Sequence, residues 1–286
     1  MSWLAETIHR PHGYEQRLEV LRELHHETTE FQDLRIVETA YFGRVLVLDG
    51  AVQTTERDEF IYHEMLVHVP MLAHGKARRV LIIGGGDGGI LREVLRHPVE
   101  SAVMVEIDGR VVETCRALMP ALSQGAFDDT RVDLRIADGI AYIAEAKNPF
   151  DVIIVDSTDP SGPGEVLFTE AFYADCSRLL GADGVLVTQC GVPFYQPWEV
   201  AESYGRLKAH FRDVGFYTIV VPTYVGGYMT LGWASNDAAL RQQTEDVLGD
   251  RFAAGGLATR HYSPAMHRAA FVLPPFIRLL VPADAA

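Results

Sequence analysis

The first quarter of the chain alternates apolar and polar residues, which is the pattern of half-buried β-strands. In the segment DLRIVETAYFGRVLVLDGAVQTT, turns at residues 42–43 and 48–50 flank the alternating Val45 and Val47. Glycine and aspartate in these turns are the residues that tight hairpins require. The pattern predicts a small N-terminal antiparallel β domain, which together with a connecting helix occupies residues 1–75.

The connecting helix is predicted from the segment ERDEFIYHEMLVHVPMLAH. Its apolar residues recur at the spacing of a helix that buries one face. Pro70 lies inside the segment, and a proline removes a backbone hydrogen bond and clashes with the preceding turn. We therefore expect the helix to be disturbed at Pro70. The apolar positions are Phe60, Ile61, Met65, Leu66, Val69 and Leu72.

From residue 79 onward the pattern changes to short, continuous apolar runs separated by helical segments. Such runs are typical of parallel strands that crossover helices bury on both faces. One intervening helix should stop at His97-Pro98, and another should begin after the capping residue Thr169 and end at Gly181. The candidate strands are residues 79–83, 102–107, 132–137, 152–155 and 185–189.

The last two β-rich segments, GFYTIVVPTY and YMTLGWAS, are joined by only three residues, 225–227. A link that short allows an antiparallel pair but not a parallel crossover. The fold class predicted is α/β: residues 76–286 form a Rossmann-like domain of the methyltransferase type, whose mostly parallel sheet ends in a C-terminal antiparallel hairpin.

Composition narrows the classes of protein and ligand. With 286 residues, 48% of them hydrophobic, the chain has ample material for a core. The formal charge of −14, from 25 basic and 39 acidic residues, disfavours nucleic acid and anionic membranes as partners. Such a surface would attract a cationic ligand, but net acidity that only aids solubility explains the same charge. No segment reaches the length of a membrane span and no signal peptide is evident, so a cytoplasmic protein is expected. Three widely spaced cysteines are interpreted as free thiols.

The glycine cluster in VLIIGGGDGGILREV is the first candidate binding feature. Gly84, Gly86 and Gly89 satisfy G-x-G-x-x-G, and Glu106 follows at the end of the next strand, where a carboxylate can bind ribose hydroxyls. The pattern alone fits NAD, FAD and S-adenosyl compounds, or a turn needed only for packing. Asp87 discriminates among them, because a phosphate at that turn would be repelled by about 1 to 4 kcal/mol. A cationic ligand would be attracted instead.

Three further acids follow predicted strands: Asp138 after the third, and Asp156 and Asp159 after the fourth, in DVIIVDSTDP. Open α/β sheets bind ligands at the carboxyl ends of their strands, so these acids should converge with Asp87 and Glu106 on one crevice. Asp156 and Asp159 precede a proline, so turn capping is an alternative explanation for that pair. The convergence of all five favours a site for a positively charged adenosine compound.

No metal site is predicted. The segment HEMLVH resembles the zinc motif H-E-x-x-H, but His63 and His68 are five residues apart. On a helix they would point about 140° away from each other. The sequence also lacks the nucleophile elbow of serine hydrolases and the phosphate-binding loop of P-loop enzymes.

Several segments together resemble the bacterial spermidine synthases, which are polyamine aminopropyltransferases. They are LDGAVQTTERDEFIYHEML, VLIIGGGDGG, VEID, DVIIVDSTDPSGPGEVLFTEAFY and PTYVGG, and they occur in the family's order along nearly the whole chain. The resemblance implies transfer of the aminopropyl group of decarboxylated S-adenosylmethionine to putrescine, giving spermidine and methylthioadenosine. The donor is a co-substrate, so no cofactor is implied. A homodimer or homotetramer is expected.

The resemblance also implies roles for particular residues. Asp156 is the expected proton acceptor, and Asp87 would neutralise the ammonium end of the donor. The residues implied to bind the donor or methylthioadenosine are Gln32, Asp87, Glu106, Asp138, Gly139 and Pro163. Those implied to bind putrescine or spermidine are Tyr62, His63, Asp87, Asp156, Asp159, Gln189 and Tyr224.

Two other functions remain open from the sequence. An amine N-methyltransferase would use intact S-adenosylmethionine, whose carboxylate Asp87 would repel. A non-catalytic polyamine- or nucleoside-binding protein would not need Asp156, Asp159 and Tyr62 together. Acceptor length is also open, because one methylene changes binding by only about 1 to 3 kcal/mol.

Overall fold

The computed structural model describes residues 2–157 and 169–282. Its N-terminal part is a five-stranded antiparallel sheet in which the strands lie in chain order. The turn between the last two strands has positive φ at Asp49 (50°) and Gly50 (78°), as a two-residue hairpin requires. The strands are β1 (Ser2–Glu6), β2 (Gln16–Thr28), β3 (Asp33–Thr39), β4 (Gly43–Leu48) and β5 (Ala51–Thr55).

Helix α1 (Glu59–His74) follows this sheet and continues through Pro70, so the proline does not end the helix. Nearly every residue from Tyr62 to His74 is buried against the second sheet and neighbouring helices. This packing outweighs the lost backbone hydrogen bond, because helical stability in proteins comes mainly from tertiary contacts. No helix among residues 2–157 and 169–282 has the length and apolarity to cross a membrane.

The second sheet contains seven strands, and helices separate all of them along the chain except the last two. Its strands are β6 (Arg79–Gly84), β7 (Ser101–Glu106), β8 (Val132–Ile136), β9 (Phe150–Asp156), β10 (Leu180–Gln189), β11 (Asp213–Val220) and β12 (Tyr228–Ser235). The helices are α2 (Gly89–Leu95), α3 (Gly109–Leu118), α4 (Pro120–Ser123), α5 (Gly139–Glu145), α6 (Glu170–Leu179), α7 (Pro197–Lys208), α8 (Glu245–Ala254), α9 (Pro264–Ala270) and α10 (Pro275–Arg278).

The spatial order of this sheet is β11-β12-β10-β9-β6-β7-β8. The five strands from β10 to β8 are parallel, whereas β12 pairs antiparallel with both β10 and β11. The predicted Rossmann-like fold with a C-terminal antiparallel hairpin is confirmed. The hairpin connection is longer than expected, because the strands end at Val220 and resume at Tyr228. Residues 221–224 turn away from the sheet to reach the N-terminal domain.

The chain reverses its direction of travel across the sheet between β6 and β9, and this is where ligands bind in open α/β folds. Gly84 at the end of β6 pairs with Asp156 at the end of β9. Gly84 has φ of 84°, and a Cβ there would lie 1.9 Å from the carbonyl oxygen of Asp156. Only glycine allows the two strand ends to approach this closely, so the turn and the carboxylate are adjacent.

An apolar seam joins the N-terminal sheet to the second domain. Leu34, Ile36, Leu46 and Leu48 from β3 and β4 pack against residues of α3 and α4. Polar contacts flank the seam: the side chains of Thr29 and Gln32 both donate to Asp108 Oδ2, at 2.8 and 2.9 Å. The crevice described next therefore has walls from both domains.

Candidate active site

One crevice lies at the carboxyl ends of β6, β7 and β9, below the edge of the N-terminal sheet. Every described residue that the sequence singled out for substrate binding lines it: Gln32, Tyr62, His63, Asp87, Glu106, Asp138, Gly139, Asp156, Gln189 and Tyr224. Two further candidates, Asp159 and Pro163, lie outside the described residues.

Asp156 and Tyr62 form a hydrogen-bonded pair in this crevice. The hydroxyl of Tyr62, which projects from α1, donates to Asp156 Oδ1 at 2.6 Å. Burial and the neighbouring charge of Asp87 raise the pKa of Asp156 to about 6. A carboxylate with such a pKa is ionised near neutral pH and still basic enough to accept a proton. The pair is therefore suited to general-base chemistry.

Asp87 lies in the glycine turn with both carboxylate oxygens occupied. Oδ1 accepts from the backbone N–H of Gly89 at 2.7 Å, and Oδ2 lies 3.4 Å from Nε2 of His63. Burial would raise the pKa of Asp87, but the His63 side chain outweighs it and the pKa is lowered. Asp87 is thus a buried, charged group at the position where a phosphate would lie in a dinucleotide-binding protein.

Glu106, Asp138 and Gln32 line the opposite wall of the crevice. Burial raises the pKa of Glu106 to about 7, although the Asp108 N–H donates to its Oε1 at 3.0 Å. Asp138 caps α5 by accepting from the Ile140 N–H at 2.8 Å. Gln32 reaches the crevice from the N-terminal domain. Its side-chain amide donates to Asp108 of the second domain, which fixes its orientation. This wall offers carboxylates at the spacing of successive parallel strands.

Residues from the N-terminal sheet and the hairpin connection close the other end of the crevice. The hydroxyl of Tyr224 donates to the Gln53 carbonyl at 2.6 Å, and the Gln189 side chain accepts from the Gly191 N–H at 2.9 Å. The sequence did not identify Glu6 and His9, which also line this end. No local pattern marks them, because they enter the site only through the packing of one domain on the other.

Among residues 2–157 and 169–282 no cluster of His, Cys, Asp or Glu is arranged to hold a metal ion. His63 contacts Asp87, whereas His68 points away from the crevice and lies 2.9 Å from His97 through their ring nitrogens. The two histidines of the zinc-like segment thus belong to different environments.

Family models match most of the chain. Residues 59–244 match the spermine/spermidine synthase domain, and residues 2–56 match the spermidine synthase tetramerisation domain. The chain belongs to the spermidine synthase family. Two curated relatives are the polyamine aminopropyltransferases of Shigella sonnei (strain Ss046) and Escherichia coli O1:K1 / APEC. Each is 53% identical to this chain over 274 residues. In both cases the match covers 96% of this chain and 94% of the relative.

Solved structures of spermidine synthases have the same fold as this family member. One was crystallised in complex with the transition-state analogue AdoDATO; its TM-score is 0.93 at 38% identity, covering 98% of this chain and 94% of that one. The spermidine synthase of Thermotoga maritima gives a TM-score of 0.90 at 36% identity, covering 98% and 93%. The likeness therefore extends over both domains.

Proposed function

We propose that the chain is a spermidine synthase, which transfers the aminopropyl group of decarboxylated S-adenosylmethionine to putrescine. The products are spermidine and methylthioadenosine. Family membership and 53% identity to polyamine aminopropyltransferases support this activity. The observation that carries the choice of donor is the buried Asp87 carboxylate in the glycine turn, because decarboxylation leaves a donor with only positive charges.

The donor is proposed to bind along the carboxyl ends of β6, β7 and β8. Glu106 accepts hydrogen bonds from the ribose hydroxyls, and Asp138, with the adjacent Gly139, contacts the adenine amino group. Gln32 contacts the nucleoside from the N-terminal domain. Asp87 then faces the ammonium at the end of the aminopropyl chain. Support comes from the placement of all these residues on one crevice.

The acceptor is proposed to enter between Tyr62, Gln189 and Tyr224, with its reacting nitrogen at Asp156. An alkyl ammonium with a pKa near 10 cannot attack carbon until it loses a proton, and Asp156 accepts that proton. The neutral amine attacks the methylene carbon bonded to the sulfonium. The carbon–sulfur bond breaks, and sulfur keeps the electron pair as the thioether of methylthioadenosine. Alignment of nitrogen, carbon and sulfur supplies the remaining rate enhancement.

An amine N-methyltransferase is disfavoured by the same carboxylate. Intact S-adenosylmethionine would place its own carboxylate near Asp87 in a buried site, and like charges there repel strongly. A binding protein without catalysis is disfavoured by Asp156, whose pKa is raised to about 6 by burial and Asp87 and whose carboxylate is oriented by Tyr62, because mere binding does not need such a base.

The test of this function is an incubation of the purified protein with putrescine and either decarboxylated or intact S-adenosylmethionine, with products resolved by mass spectrometry. We expect spermidine and methylthioadenosine from the decarboxylated donor alone. N-methylputrescine from the intact donor would identify a methyltransferase, and binding of methylthioadenosine without turnover would identify a binding protein.

The pH dependence of the reaction should report the ionisation of Asp156. The pKa of this carboxyl is raised to about 6, and it must be ionised to accept a proton, so kcat/KM for putrescine should rise through about pH 6. The hydrogen bond from Tyr62 lowers that pKa. Tyr62→Phe should therefore move the acid limb to higher pH, measured from initial rates across the acid range.

The matched control is Tyr41→Phe, which removes the hydroxyl of an exposed tyrosine outside the crevice. Its pH profile of kcat/KM for putrescine should have the same acid limb as that of the wild type. An unchanged limb in Tyr62→Phe would mean that a group other than Asp156 controls the acid side of the profile.

We further propose that the chain assembles as a homotetramer through its N-terminal sheet. Residues 2–56 match the tetramerisation domain, and Trp3 and Leu21 of this sheet are 56% and 61% exposed in the single chain. Light scattering should give a mass near four times 31.7 kDa. A mass of two chains would instead indicate a dimer, and a mass of one chain would remove the proposal.

A further inference from the structure

A chain of buried ionisable side chains runs from the glycine turn into the protein behind the crevice. Asp87 Oδ2 lies 3.4 Å from Nε2 of His63, and Nδ1 of the same ring lies 2.5 Å from Glu59 Oε2. Glu59 Oε2 in turn accepts from Nη2 of Arg92 at 2.8 Å. The four side chains are at most 10% exposed. They form an alternating series of negative and positive groups.

Both ring nitrogens of His63 face carboxylate oxygens. A neutral imidazole would direct a lone pair at one of those carboxylates, whereas an imidazolium donates to both. Burial by itself would lower the pKa of His63, but the charges of Asp87 and Glu59 outweigh it and raise the pKa to about 10. His63 is therefore a cation at neutral pH, and each of its two ring N–H groups faces a carboxylate.

Arg92 holds Glu59 in the orientation that meets His63. In addition to its Nη2 contact, Nη1 of Arg92 lies 3.4 Å from Glu59 Oε1 and donates to the Leu122 carbonyl at 2.6 Å. Its Nε donates to Glu93 Oε1 at 2.8 Å. The guanidinium of Arg92 is thus held by three partners. Because its donors have a rigid planar geometry, the Glu59 carboxylate that it contacts is also fixed in orientation.

Gly89 provides the surface on which the imidazole rests. A Cβ at this position would lie 2.2 Å from both Cε1 and Nδ1 of His63. The third glycine of a G-x-G-x-x-G pattern ordinarily allows close packing of helix and strand. In this chain it makes room for His63, which is held between the glycine turn and α1.

We propose that Glu59 and Arg92, with the open surface of Gly89, are positioning residues that hold His63 as an imidazolium against Asp87. In this way they fix the carboxylate that meets the aminopropyl donor. The assignment of Asp87 to the donor rests on the proposed function, but the charge state of His63 does not. His63 then acts on the donor through Asp87.

The charged and titratable groups around His63 come from α1, the glycine turn, α2 and β9. Glu59 and Tyr62 belong to its own helix α1, and Asp87 and Arg92 come from the glycine turn and α2. From β9, the Asp156 carboxylate interacts with His63 through its charge. Of these, Glu59 makes the shortest contact and lines no part of the crevice, so it is the best position for a test.

The first test is NMR of the ligand-free protein with ¹³C-labelled histidine, in which the His63 signal is assigned by its loss in His63→Gln. In the wild type we expect this signal to keep the imidazolium position from pH 6 to 9. In Glu59→Gln the His63 signal should titrate within that range, which corresponds to a proton affinity of the imidazole at least tenfold lower than in the wild type. A signal that titrates in the wild type, or fails to titrate in Glu59→Gln, would overturn the proposal.

The second measurement is the KM for decarboxylated S-adenosylmethionine at pH 6.5 and pH 8.5. In Glu59→Gln we expect KM to rise about tenfold between these values while kcat changes little, whereas the wild type shows no such rise. The control is Glu64→Gln, another buried carboxylate of α1, which accepts from the backbone N–H groups of residues 260–262 at 2.8 Å.

Glu64→Gln should lower the melting temperature without changing the pH dependence of KM. The same pH dependence in both variants would assign the Glu59 effect to stability and overturn the proposal. A wild-type protein that makes no spermidine would contradict the proposed function, and the NMR titration would still decide the charge state of His63.

Gly89→Ala tests the steric part of the proposal. Gly89 is the first residue of α2, and alanine is a better helix former than glycine, so helix propensity alone gives no reason for this change to lower stability. Here the added methyl collides with His63, and we expect a lower melting temperature and a higher donor KM. Gly205→Ala is the matched control in α7, where nothing lies within 4 Å of the added Cβ. Equal stability and donor KM in the two variants would show that Gly89 does not seat His63.

Discussion

Asp156→Asn should lower kcat by about a thousandfold, the contribution expected of a positioned general base. Asparagine has nearly the same shape and its carbonyl oxygen can still accept from Tyr62, whose hydroxyl lies 2.6 Å from Asp156 Oδ1. The amide cannot take a proton from the acceptor ammonium. Steady-state rates at saturating donor and putrescine measure the loss.

Methylthioadenosine affinity, determined by calorimetry, separates lost chemistry from lost binding in this variant. It should stay within a few-fold of the wild type, because the nucleoside contacts are assigned to Glu106 and Asp138. Tyr62→Phe serves as a milder control that keeps the carboxylate and should retain much more activity. Residual turnover within tenfold of the wild type in Asp156→Asn would rule out Asp156 as the proton acceptor.

Asp87→Asn should raise the KM for decarboxylated S-adenosylmethionine by about a hundredfold. Removing one partner of a buried charge pair costs about 2 to 5 kcal/mol, which corresponds to roughly a 30- to 5,000-fold weakening, and the expected factor lies in the lower part of that range. Asp87 is buried, and its lowered pKa keeps it ionised, so the lost interaction is that of a full charge. Initial rates over a range of donor concentrations at fixed putrescine measure it.

Methylthioadenosine lacks the aminopropyl ammonium and should bind Asp87→Asn almost as well as the wild type. Glu106→Gln is the contrasting variant, since ribose is common to both ligands and both should weaken by a similar factor. If Asp87→Asn weakened methylthioadenosine as much as the donor, Asp87 would be a nucleoside contact, and the proposed choice of donor would lose its main support.

The sequence pattern predicted the strands of the second sheet well because parallel strands are marked locally. Continuous apolar runs appear wherever helices bury both faces of a strand, and the five candidate strands each correspond to an observed strand with ends shifted by up to five residues. The largest shift is at β10, which begins at Leu180 instead of residue 185. Its first residues pair irregularly with β9, and such an irregularity has no periodic pattern.

Residues of the candidate site were accessible from the sequence for a related reason. The carboxyl ends of parallel strands meet at one edge, so Glu106, Asp138 and Asp156 could be placed together without knowing the packing. Tyr62, Gln189 and Tyr224 came from the family resemblance alone. Glu6 and His9 were not identified, because they approach the crevice only after the N-terminal sheet docks.

The sequence by itself determined the order of elements, the fold class and the acidic edge of the sheet. Each of these follows from the local periodicity of apolar residues or from the residues at the ends of strands. Only the tertiary structure decided that α1 continues through Pro70 and that Gly89 accommodates an imidazole. It also decided that His63 is enclosed by Glu59 and Asp87. Burial and charge at these positions arise from contacts between segments distant in sequence, and the energy of such contacts outweighs local propensity.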